Sequence, residues 1–275
     1  MSGFQTPDHF YFLEVNKYLY ENSIVKTRYF LFISYKGTDY HGWQIQPDSV
    51  TVQKTLEDAL SLIMNEKIET TGAGRTDTGV HARFFCAHFE SDSEDLDSEK
   101  TLLIRINKYL PKDISVNSIR KVLPDAHARF SAISRTYKYY ISRSKDPFAE
   151  NSSWYIYGNI DVQMMNEACR LLMSHSDFTS FSKLHTDVKT NICKIISAVW
   201  EDDGTNLVFT IKADRFLRNM VRSIVGTMVH LGQGKTTLSQ FNEIILARDR
   251  CRAGKSAPAK GLFLTDIEYP EEIFV

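Results

Sequence analysis

The run Gly72-Ala73-Gly74-Arg75-Thr76-Asp77-Thr78-Gly79-Val80-His81-Ala82 sets one carboxylate, Asp77, and one cation, Arg75, among three glycines. Glycines permit sharp turns and close approach of another chain. The chain then continues as Arg83-Phe84-Phe85-Cys86-Ala87-His88-Phe89, an apolar run that reads as a strand. A carboxylate shown on a turn that feeds a buried strand is placed for nucleophilic or acid–base chemistry. Asp and Gly are also the ordinary residues of inert turns, so the loop by itself leaves both readings open.

Cations gather in three other places. In a helix read from Arg215 to Leu231, Arg215, Arg218 and Arg222 fall on the side opposite Phe216, Leu217, Met220, Val221, Ile224, Val225 and Met228. Such a stripe faces solvent, or it faces phosphate or carboxylate. Between Arg120 and Lys145, cations alternate with rings in Arg135-Thr136-Tyr137-Lys138-Tyr139-Tyr140. Strand alternation puts Tyr137 and Tyr139 on one face and Lys138 and Tyr140 on the other. Rings beside cations suit unstacked bases and their phosphates, and equally suit a half-buried strand. Arg248, Arg250, Arg252, Lys255 and Lys260 lie in a loop rich in Gly and Ala that could close on a polyanion or remain plain surface.

Other motifs fail on spacing. Gly232-Gln233-Gly234-Lys235-Thr236 lacks the first glycine of a phosphate loop, Val229 standing there, and it follows a helix rather than a strand. Gly72-Ala73-Gly74 begins like a dinucleotide fingerprint, but Asp77 holds the third glycine position. His88-Phe89-Glu90 begins like a zinc-deaminase signature with no Pro-Cys-x-x-Cys after it. Cys86, Cys169, Cys193 and Cys251 include no C-x-x-C pair, so reduced thiols are expected, without a metal.

The 275 residues, 43% hydrophobic and 12% aromatic, suit two moderate domains or one large one with an ample core. The net charge of −1 excludes a globally basic protein, so any nucleic-acid partner must meet locally gathered charge. No apolar run approaches the length of a membrane helix. Residues 1–27 read as an appended leader with a short helix over Phe12 to Leu19 and no signal-peptide pattern, which gives an expectation of a cytoplasmic protein.

These sites need elements to hold them. Expected strands run from Arg28 to Tyr35, Lys67 to Thr71, Val80 to Glu90, Ile114 to Lys121, Arg129 to Ser142, Ile195 to Glu201, Leu207 to Lys212 and Leu262 to Tyr269. Expected helices begin after the N-cap Thr51 and cover Thr101 to Tyr109, Val162 to Met173, Arg215 to Leu231 and Leu238 to Arg248. The fold class is therefore α+β: two halves of ferredoxin-like type, 28–123 and 124–275, sharing a mostly antiparallel mixed sheet with the active-site cleft between them. The acidic stretch Ser91 to Lys100 reads as a solvated loop.

Gly74-Arg75-Thr76-Asp77-Thr78-Gly79-Val80-His81-Ala82 resembles the catalytic motif of the TruA family, tRNA pseudouridine synthases that act in the anticodon stem–loop. The likeness extends through Tyr35-Lys36-Gly37-Thr38-Asp39-Tyr40-His41-Gly42-Trp43-Gln44, Ala128-Arg129-Phe130-Ser131-Ala132, Arg135-Thr136-Tyr137, Asp177-Phe178-Thr179-Ser180-Phe181, Phe216-Leu217-Arg218-Asn219-Met220-Val221-Arg222 and Gly261-Leu262. It covers roughly Arg28 to Pro270; the leader departs from it, and Thr78 stands where many members have Ala. The resemblance implies that Asp77 is the catalytic nucleophile, that Tyr137 stacks on the flipped uracil and that Arg222 pairs with Asp77. It further implies that Arg75 helps extrude the target nucleotide and that Leu262 lines the pocket. It also implies a homodimer, tRNA as partner, and no cofactor or metal. Whether Asp77 attacks the sugar, adds to the base or takes a ribose proton stays open at this point. A non-catalytic RNA-binding protein on the same fold is the alternative function, and a zinc-dependent deaminase a third.

Overall fold

The computed structural model describes residues 26–183 and 190–275; the expected helix over Phe12 to Leu19, and nearly all of the leader, lies outside the described residues. Nine strands form one sheet. They are β1 (Thr27–Tyr35), β2 (Thr71–Gly72), β3 (His81–Ser91), β4 (Ile114–Lys121), β5 (Ser134–Ser142), β6 (Trp154–Tyr155), β7 (Ile195–Asp202), β8 (Asn206–Ala213) and β9 (Leu262–Glu268). The order is β4-β1-β3-β9-β5-β8-β7, with β2 beside β3 and β6 beside β5. Pairing is antiparallel except at β3–β9 and β5–β6. The two sides of the sheet meet at β3–β9 through only His81↔Phe263 and Ala82↔Leu264, immediately after the loop that carries Asp77.

Among the described residues five α-helices accompany the sheet: α1 (Val52–Met64), α2 (Lys100–Tyr109), α3 (Val162–Ser174), α4 (Met220–Gly232) and α5 (Leu238–Ala247). Thr51 caps α1 by accepting from the Lys54 N–H, and Val52, Leu56, Ala59 and Leu60 give α1 its buried face. The apolar residues divide into two cores. The first joins Tyr29, Phe85 and Phe89 to Leu56, Leu60 and Ile106, and takes Leu264 and Ile267 from β9. The second joins Tyr139, Trp200 and Phe209 to Met165, Ile224, Met228 and Phe241, and takes Val80 from the Asp77 loop together with Leu262. Each core thus reaches across the β3–β9 seam, and each large side chain buried there contributes about 1.5–3 kcal/mol.

Three expected elements are shorter than their patterns suggest. The strand expected over Lys67 to Thr71 is realised only as Thr71–Gly72. Upstream, Ile68 N–H donates to Ser61 Oγ and Thr70 N–H to Glu57 Oε1, so side chains of α1 hold this segment in place of a ladder. The strand expected from Arg129 begins at Ser134, because Ser131 N–H closes a turn onto the His127 carbonyl at 2.9 Å. The helix expected from Arg215 begins at Met220, because Asn219 sits in the left-handed region at φ 64° and ends the helical path. Arg215 and Arg218 therefore precede α4, and the three-arginine helical stripe does not exist.

Candidate active site

The Asp77 loop rests on the loop that follows β1. Trp43 N–H donates to the Thr76 carbonyl at 3.3 Å, Gly79 N–H to the Tyr40 carbonyl at 3.3 Å, and the Tyr35 and Thr76 hydroxyls lie 2.8 Å apart. Gly42, at φ 87°, lets the backbones meet: a Cβ there would lie 2.3 Å from the Thr76 carbonyl oxygen. Val80 N–H donates to the Asp77 carbonyl at 3.1 Å, closing a four-residue turn whose third residue, Gly79, has the positive φ of 77° that a type II turn needs. His81 anchors the loop's far end: its Nδ1 accepts from Gly37 N–H at 3.0 Å and its Nε2 donates to the Lys260 carbonyl at 3.1 Å. Burial pushes the His81 pKa down, consistent with the neutral ring these bonds require.

Two arginines meet the Asp77 carboxylate. Arg222 Nη1 lies 3.1 Å from Oδ2, and Arg218 Nε lies 3.8 Å from Oδ1. Asp77 and Arg222 are 24% and 20% exposed and Arg218 is 49% exposed, so the first pair is the better shielded from water. Arg222 stands in the first turn of α4 and is fixed twice to one residue: its Nε donates to the Ala257 carbonyl at 2.8 Å, and its own carbonyl accepts from Ala257 N–H at 2.9 Å. The anchored arginine therefore presents one nitrogen to the carboxylate in a set geometry.

Tyr137, on β5, completes the group. Burial raises its pKa to about 12, with Arg135 opposing the rise and the Asp77 charge adding to it, so the phenol is protonated at neutral pH and lies within electrostatic reach of the carboxylate. Its ring packs edge-on against Phe216, with centroids 5.1 Å apart and planes at 87°. Leu262 opens β9 and is buried opposite Tyr139, while Leu264 lies opposite Tyr137. Arg75 is exposed and makes no ion pair or hydrogen bond among the described residues. The structure thus brings Asp77 and Arg222 into contact, sets Tyr137 where its phenol feels the Asp77 charge, leaves Arg75 projecting from the loop, and sets Leu262 in the adjoining core. A separate pocket of about 710 Å³, lined by Lys36, Arg83, Lys112, Asp113 and Phe263 among others, includes neither Asp77 nor Tyr137.

Other basic and histidine motifs have structural partners. Arg250 donates to the Ala253 and Gly254 carbonyls and to Ser256, Arg248 pairs with Asp177 and Lys260 with Glu150, leaving Arg252 and Lys255 exposed. His88 Nδ1 accepts from Ala128 N–H at 3.1 Å and Glu90 pairs with Arg28, so the apparent start of a deaminase signature is strand scaffolding.

The sequence reads Arg135 as one of the cations beside the rings, suited to phosphate; the structure instead commits its half-buried guanidinium to backbone carbonyls that link three segments. The guanidinium donates to Ala132, Asp214, Arg129 and, at 3.4 Å, Ala73 carbonyls. Ala73 belongs to the Asp77 loop and Asp214 to the connector leading to Arg218, so one side chain joins both sides of the candidate site. Nothing in the local pattern marks this linking role. For Arg218 the carboxylate-facing reading of the stripe fits its approach to Asp77, but the residue stands before the helix rather than in it.

The chain matches the family described as tRNA pseudouridine synthase over residues 31–131 and 168–270. It is 54% identical over 250 residues to the tRNA pseudouridine synthase A of Bacteroides thetaiotaomicron, covering 90% of this chain and 92% of that protein. It is 50% identical to that of Porphyromonas gingivalis, covering 90% and 99%, and 39% identical to that of Colwellia psychrerythraea, covering 89% and 94%.

Proposed function

The chain belongs to the tRNA pseudouridine synthase family, and from that premise we propose that it is an isomerase converting uridine to pseudouridine in the anticodon stem–loop of tRNA, with Asp77 as the reacting carboxylate. The observation that carries the residue assignment is the 3.1 Å contact between Asp77 and Arg222, which lie 145 positions apart in sequence.

The reaction breaks the bond between C1′ and N1, turns the uracil, and joins C1′ to C5; the C5 proton leaves to solvent and the freed N1 takes one up, so the net change is an isomerisation. The target must first leave its stack. Arg222 balances the Asp77 charge and orients Oδ2, and Oδ1, with the half-exposed Arg218 3.8 Å away, is the oxygen left for substrate. The Tyr137 ring holds the loose uracil by stacking, worth about 1–3 kcal/mol per base. Arg75, exposed on the same loop two residues before Asp77, is in position to take a phosphate or the space of the extruded nucleotide, and Leu262 gives the pocket an apolar wall. The cleft lies between halves 28–123 and 124–275. The family resemblance supports a homodimer working in the cytoplasm without metal or cofactor. Among the described residues, no helix is long and apolar enough to cross a membrane.

Tritium release from 5-tritiated uridine in unmodified tRNA, followed by mapping of the modified nucleotides, tests the proposal. Release confined to anticodon stem–loop uridines is the expected result. tRNA binding without release would leave the non-catalytic alternative in its place.

A further inference from the structure

Phe130 is 75% exposed, yet the turn that carries it is held by hydrogen bonds to both the backbone and the ring of His127. Ser131 N–H donates to the His127 carbonyl at 2.9 Å, His127 N–H donates to Ser131 Oγ at 2.9 Å, and His127 Nδ1 accepts from Arg129 N–H at 3.1 Å and Phe130 N–H at 3.4 Å. A line of rings runs outward from the core: Phe30 to His88 at 6.3 Å, His88 to His127 at 4.5 Å, and His127 to Phe130 at 4.4 Å between centroids. Phe130 is its solvent end, with the Arg129 guanidinium 5.4 Å from its ring centre. Phe148, 98% exposed, offers a contrast: it has no ring neighbour among the described residues, and its turn is held chiefly by Asp146.

The turn also has a fixed relation to the catalytic loop. Arg135 Nη2 donates to both the Arg129 carbonyl and the Ala73 carbonyl, so these two oxygens share one nitrogen. Ala73 lies two residues before Arg75. A braced aromatic ring with a cation beside it, tied through one guanidinium to the loop that presents Asp77, has the composition of a base-stacking platform.

We propose that Phe130, flanked by Arg129, stacks an unpaired base of the RNA neighbouring the target uridine, with Arg129 on its phosphate; this rests on the tRNA reading above. The test is steady-state tritium release with unmodified tRNA, run beside filter binding, for the wild type and Phe130→Ala, Phe130→Tyr and Phe130→Leu. Phe130→Ala is expected to raise KM and the tRNA Kd about tenfold with kcat within about twofold, the scale of one lost stacked base. Phe130→Tyr should restore both constants and Phe130→Leu should not. KM and Kd within twofold of wild type in Phe130→Ala, a fall in kcat alone, or Leu performing as well as Tyr would each overturn the platform. A wild-type protein that releases no tritium would overturn the function reading instead, while the filter-binding series would still decide the platform.

Discussion

The carboxylate side and the cation side of the site are held by different means. Asp77 rides on a loop bedded on the loop after β1 by main-chain hydrogen bonds and a close approach at Gly42. Tyr137 and Arg222 stand on a sheet strand and a buried helix; the Tyr137 ring is set by packing against Phe216, and the Arg222 guanidinium by its bond to Ala257. A loop positioned by backbone contacts is indifferent to most surface substitutions and intolerant of an added Cβ at the contact. A guanidinium positioned by its own bonds fails when the side chain is cut or reshaped.

Substitution of Arg222 sharpens this difference most. Arg222→Ala should lower kcat by about 100-fold, because it leaves a partly buried carboxylate without its oriented partner. Arg218→Ala, at 3.8 Å and half exposed, should cost less than about fivefold. Equal losses in the two variants would erase the distinction. Next comes Tyr137: Tyr137→Ala should reduce kcat/KM by about 10- to 100-fold through the lost stacking surface, while Tyr137→Phe should keep most of it.

On the carboxylate side, Gly42→Ala meets both a φ of 87° and the Thr76 carbonyl, so its Tm should fall by about 5 °C along with a loss of activity. Gly74→Ala has nothing within 4 Å of its added Cβ and should melt like the wild type in a thermal scan. If the two alanines behave alike, the backbone contact is not what positions the loop.

The smallest effect is one of pH. Burial pushes His88 down to about 4, with His127 and Arg28 adding to the shift. The unfolded imidazole titrates near 6.5, so between the two values the unfolded chain holds more protons and stability rises with pH. The contribution is complete above about 6.5 and lost as pH falls toward 4, amounting to about 1 kcal/mol between pH 7.5 and 5.5. Urea melts at these two pH values measure it, and His88→Gln should remove that part of the difference.

Much of this was legible in the chain. Asp77 among its glycines, the ring-and-cation alternation around Tyr137 and the apolar face of α4 are local patterns, and most elements follow from them. Arg218 was misplaced because periodicity carries an apolar run backward past Asn219, and a left-handed residue leaves no trace in a hydrophobic pattern. The roles of Arg135 and of Gly42 were hidden for another reason: each depends on a contact with a segment tens of residues away in the chain. The meeting of Asp77 with Arg222, across 145 positions, came from resemblance and not from spacing.

The central claim, that Asp77 carries the chemistry, is tested most directly by Asp77→Asn in the tritium-release assay, with tRNA filter binding measured on the same preparation. The expected result is no detectable release with a tRNA Kd within about threefold of wild type, since the substitution preserves shape and removes only the charge. Release at a wild-type rate by Asp77→Asn would contradict it.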